Sequence, residues 1–227
     1  MLKDWEKLPE YMRTEEVRPY YDYLKSKRVS LFIKRLFDIL MSLILLILLS
    51  PLFLILALAI ALDSKGGVFF RQTRITQYGR PFRIHKFRTM VSGADKMGTQ
   101  VTVEGDQRIT RVGQKIRRYR LDEIPQLIDI CKGDMTFVGT RPESPFYVKH
   151  YTAEMYATLL LPAGVTSEAS IRYKDEQTLL QNSEDTDKTY IEKILPEKMQ
   201  YNLEAIKNFN LKEDFKLLFK TIAAVLS

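Results

Sequence analysis

Residues 36 to 62, LFDILMSLILLILLSPLFLILALAIAL, constrain this chain more than any other stretch. They run for 27 residues with one charge, Asp38. As a helix the run would be about 40 Å long, against a bilayer hydrocarbon core of about 30 Å. A soluble domain of this size needs no apolar run of that length, so the segment predicts contact with lipid. Its centre is broken at Ser50-Pro51. Proline lacks the amide donor and clashes with the carbonyl four residues back. In lipid that freed carbonyl needs a partner, and the Ser50 hydroxyl is the nearest.

Two geometries satisfy this stretch. A spanning helix from Leu40 to Leu62 is long enough with some tilt. A re-entrant hairpin has arms over 36–49 and 52–62, roughly 21 and 17 Å long, neither of which crosses alone. The flanks discriminate. Lys25, Lys27, Arg28, Lys34 and Arg35 precede the segment, and Lys65, Arg71, Arg74, Arg80 and Arg83 follow it. Positive residues mark the cytoplasmic side, and both flanks are positive. The hairpin is favoured, with the kinked spanning helix as the alternative.

Residues 1 to 35 form a mixed-charge, tyrosine-rich lead. From Tyr20 to Lys34 tyrosines and leucines alternate with basic residues, which predicts an interfacial helix at headgroup depth. After the apolar run, residues 63 to 91 read as short strands and turns, with turn signals at Gly66-Gly67 and Tyr78-Gly79-Arg80-Pro81. Residues 92 to 107 read as a polar loop. Near the other end, residues 209 to 226 give an amphipathic helix with Leu211, Phe215, Leu218, Phe219, Ile222 and Val225 on one face.

The charge balance, +7 from 35 Lys+Arg against 28 Asp+Glu, suits an anionic surface or a phosphorylated partner. It is concentrated. Between Ser64 and Arg120 there are 14 basic residues and 3 acidic ones. Nucleic acid would give a similar imbalance, but no helix-turn-helix, zinc or RNA-binding signature accompanies it, so no nucleic-acid partner is expected. Cys131 is the only cysteine. An intramolecular disulfide is therefore excluded, which fits a reducing compartment.

Residues 121 to 131, LDEIPQLIDIC, predict an amphipathic helix that Asp122 caps, with Pro125 in its first turn and Lys132-Gly133 at its end. Asp122 and Glu123 then follow directly on Arg117, Arg118 and Arg120. Capping alone would explain one carboxylate. Two beside three arginines suggest a phosphate cradle, in which one carboxylate binds Mg²⁺ and the other faces a phosphorus atom. The stretch GDMTFVGTRPESP, residues 133 to 145, reads as a short strand and a turn presenting Arg141, whose planar guanidinium suits a phosphate.

Taken in order, KRLFDILMSLILLILLSPLFLI, FRIHKFRTM and DQRITRVGQKIRRYRLDEIPQLIDICKGDMTFVGTRP resemble the bacterial sugar transferase family. More narrowly they are similar to its small monotopic phosphoglycosyl transferases, which start glycan assembly on polyprenol phosphate. The resemblance covers about residues 30 to 145. It implies an α-rich α/β fold: a re-entrant (monotopic) helix over 36–62 broken at Ser50-Pro51, and a compact cytoplasmic catalytic domain over 63–227 with interfacial amphipathic helices and short strands. It implies transfer of a sugar 1-phosphate from a UDP-sugar to polyprenol (undecaprenyl) phosphate, with UMP released. Asp122 would be the nucleophile forming a covalent phosphosugar intermediate, and Glu123 would hold Mg²⁺. Lys86, Arg88 and Arg141 would join Arg117 and Arg118 on the phosphates. It also implies the cytoplasmic face of a bacterial inner membrane, with membrane lipids as partners and self-association left open.

Two positions depart from the family pattern. Thr140 stands where the family has proline. The later stretch PAGVTSEASI, Pro162 to Ile171, has Ala163 inserted and Ser167 in place of glycine. Two further readings stand beside the covalent one: the same transfer by direct displacement, with Asp122 as base or metal ligand, and a non-catalytic membrane-bound anion-binding scaffold.

Overall fold

The computed structural model describes residues 2–94, 106–180 and 185–226. Most of the loop expected over 92 to 107 lies outside the described residues. The fold is helix-rich with two small sheets. One is an antiparallel hairpin of β1 (Phe69–Ile75) and β2 (Pro81–Phe87), in register from Phe69↔Phe87 to Ile75↔Pro81. The other pairs β3 (Met135–Val138) in parallel with β4 (Ala163–Thr166). Gly164 lets these two approach, because a Cβ there would lie 2.1 Å from the Gly139 carbonyl oxygen. The departing stretch at Pro162 to Ile171 thus supplies β4 and, through the Ser167 cap, the start of the helix Glu168–Arg172.

The apolar stretch forms two helices, α2 (Arg28–Leu48) and α3 (Ser50–Asp63), bent by 62° at Leu49. The expected Ser50 contact is present: its hydroxyl donates to the Ile47 carbonyl at 2.8 Å, the acceptor four residues before Pro51. No single described helix is long and apolar enough to cross a membrane, whereas the bent pair passes on length and composition together.

On α2 the polar residues fall at helical spacing, so they share a stripe. Lys34 pairs with Asp214 at 2.6 Å. Arg35 donates to the Ile130 and Cys131 carbonyls at 2.8 and 3.1 Å. Asp38 accepts from the Thr136 hydroxyl at 2.6 Å and the Phe137 amide at 3.3 Å. Ser42 Oγ lies 3.0 Å from Cys131 Sγ. The lone charge of the apolar run therefore holds the helix on β3. Large apolar residues away from this stripe stay open, among them Ile47 at 75% and Leu62 at 88% exposure. Leu56 and Ile60 of α3 turn inward onto Phe87 and Ile116.

The lead departs from its expected place. Tyr20 and Tyr21, read from the sequence as interfacial, lie on α1 (Arg18–Ser26) and are sealed in the main core with Leu8, Met12 and Leu24. Burying a large side chain stabilises by about 1.5–3 kcal/mol, and the hydroxyls keep partners: Tyr20 Oη donates to Glu154 at 2.5 Å and Tyr21 Oη to the Lys3 carbonyl at 3.1 Å. Nor do residues 20 to 34 form one helix, since α1 ends at Ser26 and α2 starts at Arg28.

A second correction concerns residues 121 to 131. They split into a single 3₁₀ turn, Leu121–Glu123, and α5 (Gln126–Lys132), with Pro125 between them and Gly133 at φ 88° closing the end. Asp122 caps nothing there. Pro125, which has no amide proton, occupies the N-cap position of α5 and moves its start past the carboxylates.

The helix Leu211–Leu226 packs on α2 through an edge-to-face contact of Phe215 with Phe37 at 4.8 Å between ring centres. Phe219 and Ile222 of the expected apolar face are exposed.

Candidate active site

β2 ends by pointing Lys86 away from the Phe87 side chain, which is buried against α3. The next element, α4 (Arg111–Arg118), is capped by the Thr110 hydroxyl, which accepts from Gly113 N at 3.0 Å. Gly113 sits against the Thr89 carbonyl, where an added Cβ would come within 2.1 Å of the oxygen. That approach sets Arg117 and Arg118 beside the end of β2. Arg120 then adopts left-handed backbone, φ 54°, and its guanidinium donates to the Lys174 carbonyl at 3.1 Å. The chain turns sharply there and delivers Asp122 and Glu123. Arg141 arrives from beyond β3, where Gly164 N donates to the Thr140 carbonyl at 2.8 Å and pins the turn that carries threonine in place of proline.

The two carboxylates have different surroundings. Glu123 Oε1 accepts from Lys86 Nζ at 2.9 Å and from Arg141 Nη2, and its Oε2 accepts from Arg141 Nη1 at 3.3 Å. Burial alone would raise the Glu123 pKa, but Arg141 and Lys86 hold it well below the usual carboxylate range. Arg141 is raised in turn, chiefly by the Glu123 charge. Asp122 makes no hydrogen bond and no ion pair among the described residues. Burial pushes its pKa up and the Glu123 charge adds to this, against the pull of Lys86, Arg117 and Arg141. Lys86 is lowered, burial being the main cause.

Asp122 lines two cavities. The first, about 530 Å³, holds the expected Lys86, Arg117, Arg118, Glu123 and Arg141, together with Arg74 and Arg120. Its far wall comes from the helix Glu176–Leu180, the π turn Tyr190–Ile194 and the helix Leu195–Lys207. The second cavity, about 410 Å³, shares Asp122, Lys86, Arg74 and Arg117 and opens along Phe69, Phe70, Phe87, Arg71 and Val91.

Arg88, expected on the phosphates, is only 7% exposed and lines the second cavity alone. Its guanidinium donates to the Ser64 carbonyl at 2.7 Å and the Lys65 carbonyl at 2.5 Å. It therefore closes the C-terminal end of α3, where helix carbonyls lack partners. Ser50 and Pro51 sit at the helix bend, as expected, and not in either cavity. The far-wall residues Glu176, Tyr190 and Lys198 carry no local motif. They reach the site through packing of short helices distant in sequence.

The bacterial sugar transferase family model matches residues 29–227. This chain belongs to that family. It is 39% identical over 200 residues to the UDP-N-acetylgalactosamine-undecaprenyl-phosphate N-acetylgalactosaminephosphotransferase of Aeromonas hydrophila, covering 86% of this chain and 44% of the relative. It is 34% identical over 218 residues to the UDP-glucose:undecaprenyl-phosphate glucose-1-phosphate transferase of Escherichia coli K12, covering 94% and 44%. The protein of the same name from Caulobacter vibrioides is 33% identical over 197 residues, covering 86% and 70%. The chain thus spans less than half the length of the first two relatives.

Mg²⁺ is implied by the family resemblance, and the donor set bears on it. No group of three or more His, Cys, Asp or Glu side chains that would cage a metal occurs among the described residues. Mg²⁺ does not need one, since it keeps several waters and takes one or two carboxylates plus substrate phosphates. Asp122 is unpartnered, and Glu123 Oε2 accepts a single long hydrogen bond, leaving a lone pair. The pair fits Mg²⁺ on those terms.

Proposed function

We propose that this chain transfers a sugar 1-phosphate from a UDP-sugar to a polyprenol phosphate such as undecaprenyl phosphate, releasing UMP and starting glycan assembly. The observation that carries this is Asp122, an unpaired carboxylate in an arginine-lined cavity and the meeting point of two cavities. The names of the relatives support the donor and acceptor classes.

In the first step an Asp122 oxygen attacks the β-phosphorus of the donor. The bond from that phosphorus to the bridging oxygen breaks, and UMP leaves with the electron pair. In the second step a phosphate oxygen of the lipid attacks the same phosphorus. The aspartyl–phosphorus bond breaks, Asp122 is regenerated, and a polyprenyl diphosphate sugar is formed. Asp122 is a reasonable nucleophile because Glu123 takes the contacts of Lys86 and Arg141, leaving Asp122 the more basic carboxylate. Arg117, Arg118 and Arg141 offset the charge of the diphosphate and of departing UMP. Glu123 would hold Mg²⁺, which would supply further neutralisation of phosphoryl charge. We further read α2–α3 as a re-entrant hairpin in the cytoplasmic leaflet, which sets the second cavity at the depth of a lipid phosphate.

The test is intact mass after mixing the protein with UDP-sugar and no acceptor. A phosphosugar adduct on wild type, absent from Asp122→Asn, is expected. Turnover to UMP with acceptor but no adduct would favour direct displacement. No UMP from any UDP-sugar with undecaprenyl phosphate would favour a non-catalytic scaffold.

A further inference from the structure

The larger cavity is chemically divided. Around Asp122 it is cationic, with Lys86, Arg117, Arg118 and Arg141. Across from these it carries Glu143, Glu176, Tyr190 and Lys198. A diphosphate suits the first end and is repelled by carboxylates at the second, so the second end answers to another part of a ligand.

Lys198 organises that end. It is 6% exposed. Its Nζ donates to Glu176 Oε2 at 2.8 Å and to the Tyr190 hydroxyl at 2.9 Å, and lies 3.7 Å from Glu143 Oε1. Tyr190 donates in turn to Glu143 Oε1 at 2.5 Å. Glu176 is therefore held by one oxygen. Its other oxygen, Oε1, accepts no hydrogen bond among the described residues, and the side chain keeps 22% of its surface open on the cavity lining. Glu176 and Arg141 line the same cavity of about 530 Å³, so a ligand whose phosphates sit on that arginine extends toward Glu176.

A carboxylate with one oxygen fixed and one free is an acceptor for a hydroxyl, and an O–H to carboxylate bond is charge-assisted. We propose that Glu176, oriented by Lys198, accepts a hydrogen bond from a hydroxyl of the transferred hexose and selects among donors by that hydroxyl. This rests on the donor reading above. A ribose hydroxyl offers the same chemistry but is common to every UDP-sugar, so the hydroxyl that selects lies on the transferred hexose. A site built to bond a hydroxyl rejects the analogue that lacks it, because its own polar group is left unpaired.

Binding decides the matter independently of turnover. Titration calorimetry on the full chain in nanodiscs would compare UDP-glucose, UDP-N-acetylgalactosamine, UMP and 2′-deoxy-UMP. Glu176→Ala is expected to weaken the tighter UDP-sugar by about tenfold or more and to narrow the gap between the two sugars. Unchanged UMP binding then assigns the hexose hydroxyl. Weakened UMP with unchanged 2′-deoxy-UMP would put the bond on the ribose and overturn the selection among donors. Lys198→Met should reproduce the pattern and Lys198→Arg should restore it, which a merely structural lysine would not do. Equal affinities in wild type and Glu176→Ala would overturn the proposal, and so would equal weakening of all four probes. A wild type that binds UDP-sugars but releases no UMP would end the transfer reading while leaving Glu176 decided. A wild type that binds neither UDP-sugar would overturn both.

Discussion

Asp122 and Glu123 are neighbours in sequence and opposites in environment. Glu123 is clamped by a two-pronged guanidinium and a lysine, and Asp122 is left unpaired. Arg141→Lys keeps the charge but loses the fork. One lost charge-assisted hydrogen bond is worth about 1.5–3 kcal/mol, so kcat/KM for UMP release should fall roughly ten- to a hundredfold. A change under twofold would mean that the fork is dispensable. Arg88 makes the contrasting case. Its contacts are the first carbonyls past α3, so Arg88→Lys should lower the melting temperature while KM for UDP-sugar stays within about twofold. A loss of about 1.5–3 kcal/mol corresponds to roughly 3–12 °C for a chain of this size. A raised KM with an unchanged melting temperature would return Arg88 to the phosphates. The dyad was legible in sequence because adjacency needs no tertiary knowledge. The hold of Arg88 on the carbonyls of Ser64 and Lys65 was not legible, because nothing in the sequence sets residue 88 beside them.

At the scale of elements, α2 is legible as an apolar helix, but its polar stripe is not legible as a seam. Asp38 looked like a lone charge in lipid. It is instead the acceptor for two groups of β3 and is 2% exposed. Asp38→Ala leaves the Thr136 hydroxyl and Phe137 amide unsatisfied, at about 1–3 kcal/mol for each buried orphan. Thermal unfolding in detergent should show a clear loss of stability, larger than that of Ser50→Ala, which removes one exposed hydroxyl contact to Ile47. A melting temperature within a degree of wild type for Asp38→Ala would mean that the seam does not hold α2. β1, β2, β3 and the closing glycine of α5 are also readable, from alternation and from Gly133, whereas β4 is not, since Ala163–Thr166 carries no strand signal of its own. The split of 121–131 was not, because periodicity alone cannot say whether a helix starts before or after a proline in its first turn. The tyrosines of the lead share their composition with interfacial helices, and only their packing against the main core separates the two.

Across the whole molecule, both ends of the apolar pair are tied to one body. Arg35 and Asp38 bind α5 and β3 early in α2, while at the far end Asp63 accepts from Val112 N at 3.1 Å and Arg88 holds the carbonyls of Ser64 and Lys65. A spanning helix separates its ends by about 30 Å of hydrocarbon. Two ends anchored on the same domain do not tolerate that separation, and two basic flanks oppose it independently. Cysteine labelling tests this directly in a Cys131→Ser background, which removes the only native thiol. Cysteines replacing Lys25 and Lys65, both exposed, should react together with a membrane-impermeant maleimide in inverted vesicles and stay protected together in right-side-out ones. Reaction of one in each preparation would mean a spanning helix. The anchoring of Asp63 and Arg88 would then need a different account, and so would the placing of Asp122 beside a lipid phosphate.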